Sequence, residues 1–414
     1  MTTLRKPAEL QTKTRVAFDI GSTVVKVATL SPDGVVLRQD LCPRDYEVGI
    51  LAQVGAMIDG LPAQTDIQIC SSANGGISVG ILCLSPLFSG QALRNQVLAA
   101  GGNPLFLACL GERVVNPARV DVLLVGGGID CTETGPMADY LARFDPAAFR
   151  YTTLMYAGNA ALSQTFKQRF PEAVVIDNPL SRDLGGSQPS VANALTAAYL
   201  DDLVYKEGVS ELAGRTPEPI RATPEIVNRA FYRLVSNQTD MAVAAPSVLL
   251  DIGGATTDLH YTVELIKGES VRGLARSVAR YVFTDLGIFA SRETAQRQLR
   301  MGPRLYEFLG AVDDGDRLDS YTALREGDYE IPNRLLAYGC LFLALDRFAH
   351  GRADGLPAGD LQAAAKFVIT GGGAQLLEEE VVARVVNLFQ PNRRVSADAI
   401  LLDRDYRIWV EGLA

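Results

Sequence analysis

Histidine is scarce in this 414-residue chain, in which only His260 and His350 occur. So few histidines argue against a Ser-His-Asp hydrolase and against a histidine-rich metal centre. His260 has no partner at ligand spacing, so we expect it to be structural. The six cysteines form no CxxC pair, and most lie in apolar stretches. That pattern is typical of buried free thiols in a reducing compartment rather than of disulfides or zinc ligands.

Basic residues are also few relative to acidic ones. Lys and Arg number 39 against 48 Asp and Glu, which gives a net charge of -9. This balance argues against nucleic-acid binding and anionic-membrane binding as the main activity. No segment reaches the roughly 18 to 20 apolar residues of a membrane span, because the longest candidate, Ile77–Phe88, is broken by Ser85-Pro86. We therefore expect a cytoplasmic protein that binds neither nucleic acid nor membrane.

Length and composition indicate a folded chain of more than one domain. The sequence is 48% hydrophobic and 21% charged, and 414 residues exceed a single core. We expect a flexible start at 1–14, a first lobe at 15–245 with an inserted βα region at about 65–245, and a second lobe at 246–414. The insertion is inferred from short apolar runs that alternate with helix-like stretches, as in a parallel, doubly wound sheet. The runs are Ile67–Cys70, Ile77–Leu84, Pro104–Cys109, Asp121–Val125, Thr152–Tyr156 and Val174–Ile176.

The stretch Val248–Tyr261 reads VLLDIGGATTDLHY and predicts a hairpin with glycines at its turn. The Gly253-Gly254 pair leaves backbone N–H groups uncovered, so they can wrap an anion. Thr256 and Thr257 add hydroxyl donors. Asp251 and Asp258 are hard oxygen ligands of the kind that Mg²⁺ prefers. Taken alone, this motif indicates either a phosphate–magnesium site or an ordinary hairpin turn, about equally.

A second copy of the motif favours the functional interpretation. Val16–Leu30 reads VAFDIGSTVVKVATL, and on overlay Asp19 matches Asp251, Gly21 matches Gly253 and Lys26 falls at the position of Asp258. This copy offers the hydroxyls of Ser22 and Thr23 with a cation, whereas the later copy offers hydroxyls with acids. Phosphoryl transfer needs a lysine for the phosphate charge and carboxylates for the metal and its waters. Two lobes that each donate one hairpin would hold a nucleotide from opposite sides.

A third glycine-rich element follows a short strand near the C-terminus. Lys366–Leu376 reads KFVITGGGAQL, and Gly371, Gly372 and Gly373 would let the backbone lie against an adenosine. We expect ATP·Mg²⁺ between the lobes, with Asp19, Asp251 and Asp258 around the metal and its waters. The proposed catalytic residues are Asp19, Lys26 and Asp251. The order of hairpin, hairpin and glycine loop resembles the superfamily of actin, heat-shock chaperones and sugar kinases.

Further blocks along the chain resemble one family within that superfamily. They are CSSANGGISVGILCL (Cys70–Leu84), LLVGGGIDC (Leu123–Cys131), YAGNAAL (Tyr156–Leu162) and VLLDIGGATTDLH (Val248–His260). The blocks are similar to those of the glutamate mutase accessory family, grouped with reactivating factors of coenzyme-B12-dependent enzymes. The resemblance implies an α/β, actin-like ATPase fold of two duplicated lobes. It also implies a chaperone-like partner role beside a cobalamin-dependent, glutamate mutase-like enzyme.

Two alternative functions share this fold. It would also serve a small-molecule kinase or a nucleotide-controlled, actin-like scaffold, and the sequence is compatible with a homodimer. Arg272, Arg276 and Arg280 recur every four residues, which is typical of one solvated helix face. Asp403–Trp409 is expected to form a terminal strand, with the single tryptophan in the core.

Overall fold

The computed structural model describes residues 14–413 except residues 46, 73–76, 113, 115–116, 131, 181–189, 192, 196, 199–208, 267–276, 313–316, 327–329 and 352–357. The expected flexible start therefore lies outside the described residues, except for Thr14. Arg272, Arg276 and Cys131 also lie outside them. Within the described part of the chain, no helix has the length and hydropathy needed to cross a membrane.

Fifteen strands and twelve α-helices lie in the described residues. The strands are β1 Arg15–Ile20, β2 Val24–Leu30, β3 Val36–Pro43, β4 Asp66–Ser71, β5 Ser78–Cys83, β6 Asn103–Cys109, β7 Val120–Gly126, β8 Tyr151–Tyr156, β9 Val174–Val175, β10 Arg221–Ala222, β11 Ser247–Ile252, β12 Thr257–Thr262, β13 Val278–Phe283, β14 Lys366–Thr370 and β15 Ile400–Leu402. The helices are α1 Ile50–Asp59, α2 Gln91–Ala99, α3 Gly135–Arg143, α4 Ser163–Arg169, α5 Val209–Ala213, α6 Thr223–Val235, α7 Arg292–Met301, α8 Leu305–Val312, α9 Arg317–Glu326, α10 Asn333–His350, α11 Glu379–Asn387 and α12 Ile408–Glu411.

Short helical turns lie between these elements. A π-helical turn at Pro86–Gly90 leads directly into α2. The 3-10 turns are Pro146–Ala148, Ala160–Leu162, Val263–Leu265, Leu361–Ala363, Gly372–Gln375 and Ala397–Ala399.

Two of the three sheets have the same arrangement. In the first, with order β10-β4-β1-β2-β3, the central strand β1 pairs antiparallel with β2 and parallel with β4. In the second, with order β13-β12-β11-β14-β15, β11 pairs antiparallel with β12 and parallel with β14. The outer strands β3 and β13 extend the antiparallel sides, and β10 and β15 extend the parallel sides. The two predicted hairpins therefore begin two copies of one five-stranded sheet.

The third sheet is the inserted one. Its order is β6-β5-β7-β8-β9, and all its pairings are parallel. Its central strands β5 and β7 are buried on both faces, which explains why they read as continuous apolar runs. Its strands lie in the chain between β4 and β10, which both belong to the first sheet.

Two helices lie between the duplicated sheets. Phe231 of α6 and Trp409 of α12 are buried in one cluster with Ala17 of the first sheet and Leu249 of the second. Helices α7, α8, α10 and α11 contribute buried side chains to a larger core together with the second sheet. The placement of Trp409 in the core confirms that expectation.

Two secondary-structure predictions are wrong. The expected strand at Asp403–Trp409 is a turn followed by α12, because the carboxylate of Asp403 accepts hydrogen bonds from the backbone N–H of Arg407 (2.7 Å) and Ile408 (3.0 Å). Arg280 lies on β13 and is 3% exposed, so it belongs to no solvated helix face.

Candidate functional site

The first hairpin carries a buried ion pair. Asp19 on β1 and Lys26 on β2 face each other in register, and Lys26 Nζ donates to Asp19 Oδ2 at 2.7 Å. The hydroxyl of Thr223, at the start of α6, donates to Asp19 Oδ1 at 2.5 Å. The thiol of Cys70 lies 3.5 Å from the same oxygen. Asp19 is 1% exposed, and both its oxygens are engaged by the protein.

Lys26 is held in its charged form. Burial lowers the pKa of Lys26, but the negative charges of Asp19 and Asp251 raise it by more, so the pKa lies above its usual value. The ammonium group also lies 4.9 Å from the ring centroid of Tyr406. A fixed cation at the wall of a cavity is suited to an anionic ligand.

The second hairpin places two acids in the same register as the first. Asp251 on β11 faces Asp258 on β12. Asp258 Oδ1 accepts hydrogen bonds from Nε (2.8 Å) and a terminal nitrogen (2.5 Å) of Arg280. Its other oxygen lies 3.4 Å from the hydroxyl of Thr256. The overlay made from sequence therefore agrees with the pairing, since Lys26 and Asp258 occupy equivalent positions.

Asp251 has no hydrogen-bond donor from the described residues. Burial raises the pKa of Asp251, the attraction of Lys26 lowers it, and Asp258 and Asp19 raise it, to a final value of about 7. A carboxylate that is buried among other acids and close to one lysine is destabilised when it ionises. A bound cation would relieve this cost.

The glycine loop lies directly against Asp251. Gly371 has φ 79°, and a Cβ on this residue would lie 2.2 Å from Asp251 Oδ1. Both the backbone conformation and the close approach therefore require glycine. Gly373 instead packs on Ile252, where an added Cβ would lie 2.6 Å from that side chain. A glycine at this position therefore lets the loop pack closely on the strand.

One cavity joins these elements. A Cβ added at Gly254 would lie 3.1 Å from Ser22 Oγ and from Thr23 Cγ2, so the turns of the two hairpins meet across it. Eleven of the predicted site residues line the cavity: Gly21, Ser22, Thr23, Lys26, Asp251, Gly253, Gly254, Thr256, Asp258, Gly371 and Gly372. Three do not. Asp19 lies behind Lys26, the hydroxyl of Thr257 donates to the carbonyl of Leu286 at 3.0 Å, and Gly373 lies behind the loop.

Sequence reasoning missed several lining residues. Tyr406, Phe289, Asn333 and Thr223 contribute to the walls. Tyr406, Asn333 and Thr223 come from segments that carry no glycine motif, whereas Phe289 follows Gly287, and all four reach the cavity only through tertiary packing. Thr223 has a sequence signal, since it stands before Pro224 at the start of a periodic helix, but that signal indicates a helix end rather than a ligand site.

The residues present suit a magnesium–nucleotide ligand. Among the described residues, no three His, Cys, Asp or Glu side chains converge to hold a metal by themselves. Mg²⁺, however, commonly keeps several waters and uses one or two carboxylates together with phosphate oxygens. Asp251 and Asp258 line the cavity and would supply those carboxylates. Lys26 and the glycine turns would supply the cation and the N–H groups for phosphate.

The duplicated sheets, with a hairpin from each meeting at one cavity, define the actin-like ATPase fold. The sequence profile of the MutL protein family matches residues 15–354, and the chain belongs to this family. The expected membership in the glutamate mutase accessory family is thereby confirmed.

The sequence identity to an individual relative is low. Protein MutL of Clostridium tetanomorphum is 24% identical over 233 residues, which cover 53% of this chain and 50% of that protein. The chain thus spans about half the length of the curated relative it matches.

Solved structures match over most of the chain but with low scores. Component A of (R)-2-hydroxyglutaryl-CoA dehydratase from Acidaminococcus fermentans is 7% identical, with a TM-score of 0.35, over 97% of this chain and 96% of that chain. A ROK family glucokinase from Streptomyces griseus is 13% identical, with a TM-score of 0.31, over 97% and 98%. The fold assignment rests on the sheet topology rather than on these scores.

Proposed function

We propose that the chain binds and slowly hydrolyses ATP with Mg²⁺ in the cavity between the two hairpins. The observation that supports this most strongly is the matched register of Asp19–Lys26 and Asp251–Asp258, because it presents a cation and acids to one cavity. Phosphoryl transfer depends mainly on positioning and charge, and these are the groups that supply both.

Each residue type has a distinct part in this proposal. Asp251 and Asp258 would hold the metal through their cavity-facing oxygens and its waters. Lys26 would pair with phosphate oxygens, and Asp19 would act through Lys26 by fixing its position. The turns at Ser22–Thr23 and Gly253–Thr256 would cradle the phosphates with N–H groups and hydroxyls. Gly371 and Gly372 would lie against the nucleoside.

The binding proposal is tested by calorimetry and by ATP turnover. Asp251→Ala should abolish Mg·ATP binding or weaken it at least about tenfold, since a carboxylate–metal contact is lost. Asp33→Ala, which removes an exposed acid in a surface turn, is the matched control and should bind normally. Unchanged affinity and turnover of the Asp251→Ala variant would contradict the assignment.

We further propose that the protein is an accessory, reactivating partner of a coenzyme-B12-dependent mutase. Membership in the MutL family supports this role. The site adds a physical reason, since a ligand that contacts hairpins of both lobes stabilises the arrangement that brings them together. Loss of the terminal phosphate would remove part of that differential contact and release the arrangement. The inserted parallel sheet would convey the change to the mutase.

The accessory role is tested on a mutase inactivated with a cobalamin analogue. Adding this protein, Mg·ATP and fresh coenzyme should restore turnover. The Asp251→Ala variant should not restore it. Failure of the wild-type protein to restore turnover, with its ATP hydrolysis confirmed in the same sample, would contradict the reactivating role and favour a small-molecule kinase.

A further inference from the structure

Arg280 is a fully buried arginine that contacts both the wall of the cavity and the end of helix α2. Its side chain is 1% exposed and forms the ion pair with Asp258 at the cavity wall. One terminal nitrogen, Nη1, turns away from the acid and donates to the carbonyl oxygens of Leu98 (2.9 Å) and Gly102 (3.2 Å). These carbonyls belong to the C-terminal end of α2 and the residues just after it. The guanidinium therefore joins the candidate nucleotide site to the inserted domain, which is the part of the chain that carries the third, parallel sheet and α2.

The contacts explain why this residue is an arginine. The last carbonyls of a helix lack partners within the helix and carry partial negative charge, so a cation there is favourable. Nε and Nη2 bind Asp258 while Nη1 binds the carbonyls. A planar guanidinium with five N–H donors can bind the carboxylate and the carbonyls at the same time, whereas the single ammonium group of a lysine cannot.

Helix α2 and the turn after it contact both lobes. Its Arg94 side chain lies 5.0 Å from the ring centroid of Tyr281, so the helix packs on β13 of the second lobe. After the helix ends, Gly101 packs against the first lobe, where an added Cβ would lie 2.7 Å from Ala222. The amide groups of Gly101 and Gly102 donate back to Leu98 and Val97 at 3.1 Å and 2.8 Å. This turn is therefore held between both lobes and is hydrogen-bonded at the point where Arg280 contacts it.

We propose that Arg280 is a positioning residue that reports the occupancy of the nucleotide site to the inserted domain. The inference rests on the proposed function. Asp258 lines the cavity, and its Oδ1 accepts from Arg280 while its Oδ2 lies 3.4 Å from the hydroxyl of Thr256, which also lines the cavity. When Mg·ATP engages the carboxylate of Asp258, its hydrogen bonds to the guanidinium change. The hydrogen bonds of Arg280 to the end of α2 change with it, and α2 carries this change into the parallel sheet.

Hydrogen exchange of the wild-type protein tests the proposal without any variant. Saturating Mg²⁺ with a non-hydrolysable ATP analogue should change amide exchange at Gly101 and Gly102 by about fivefold or more, the lower end of typical coupling between sites. If calorimetry shows that the analogue binds but these amides do not respond, the coupling is refuted while nucleotide binding stands. If no nucleotide binds, both proposals fall.

Arg280→Lys then tests the route. The lysine keeps the charge but cannot bridge Asp258 and the α2 carbonyls, so the ligand-dependent change at Gly101 and Gly102 should disappear. Arg304→Lys is the matched control, because Arg304 likewise joins an acid, Asp346 (2.8 Å), to a carbonyl at a helix end, that of Leu388 (3.1 Å), and neither partner belongs to α2. It should keep the full response. A full response in folded Arg280→Lys would overturn the assignment of the route to Arg280.

Discussion

Asp251 and Asp258 face each other on one hairpin, yet replacing each with asparagine should change the free energy of unfolding in opposite directions. Burial raises the pKa of Asp251 to about 7, even after the attraction of Lys26 is counted. A raised pKa means that the folded protein favours the protonated acid. The stability contributed by that form is present below about pH 4, the ordinary carboxyl pKa, and is lost as the pH rises to about 7.

The size of the effect follows from the shift. A pKa of about 7 in place of the ordinary carboxyl value corresponds to about 4 kcal/mol, and partial exposure of Asp251 to the cavity reduces this to about 2–4 kcal/mol. Asp251→Asn removes the charge, so the free energy of unfolding of the variant at pH 8 should exceed that of the wild type by this amount. At pH 4 the two should agree closely.

Burial raises the pKa of Asp258 too, although its ion pair with Arg280 opposes that shift. Asp258→Asn should nevertheless lower the free energy of unfolding, because it removes the partner of a second buried charge. It leaves the guanidinium of Arg280 buried with no anionic partner, because Arg280 is 1% exposed and its only ion pair is with Asp258 in the described residues. Breaking a buried pair on one side costs about 3–5 kcal/mol. Urea unfolding of both variants and the wild type from pH 4 to pH 8, with Asp33→Asn as an exposed control, measures the differences. Equal destabilisation by Asp251→Asn and Asp258→Asn at pH 8 would refute the charge assignment.

Three further predictions follow from single contacts. Lys26→Met leaves buried Asp19 without its cation and should lower the free energy of unfolding by about 3–5 kcal/mol, measured by urea denaturation. Gly371→Ala should lower the free energy of unfolding clearly more than Gly34→Ala. Both glycines have positive φ, which costs an alanine about 1–2 kcal/mol, but only at Gly371 would the added Cβ also meet a carboxylate. Equal decreases in melting temperature for the two variants would contradict this. Burial, with a further contribution from a nearby arginine, lowers the pKa of His260 well below its usual value. The stability that neutral His260 contributes should therefore be lost as the pH drops below about 6.5, so the difference in free energy of unfolding between the wild type and His260→Gln should shift in favour of the variant in an acid titration.

The sequence contains enough to predict the hairpins and their equivalence. Asp19–Lys26 and Asp251–Asp258 share the same spacing, and a tight turn between strands of period two brings such residues face to face. The glycine run after β14 predicts a ligand loop at Gly371, and the structure places Gly371 at the cavity, although no local pattern indicates that it adjoins Asp251. The parallel strands of the insertion were recognisable because both faces are buried and the runs are continuous.

Other features depend on tertiary packing that leaves no local pattern. The four-residue spacing of Arg280 from its neighbours indicated a helix, whereas the run VARYVF around it forms a strand rich in β-branched and aromatic residues. Tyr406 reaches Lys26 because the carboxylate of Asp403 accepts from the backbone N–H groups of Arg407 and Ile408 and so fixes the turn that carries Tyr406. The engagement of Asp19 by Thr223 joins residues 204 positions apart, which no local motif reports.

A crystal structure with Mg²⁺ and a non-hydrolysable ATP analogue would test whether the two hairpins form one magnesium–nucleotide site. The triphosphate should lie between Ser22–Thr23 and Gly253–Thr256. The metal should lie beside Asp251 and Asp258, with metal–oxygen distances of about 2.1 Å for direct ligands or with one water between. A nucleotide bound elsewhere, or a metal held without either acid, would contradict this arrangement.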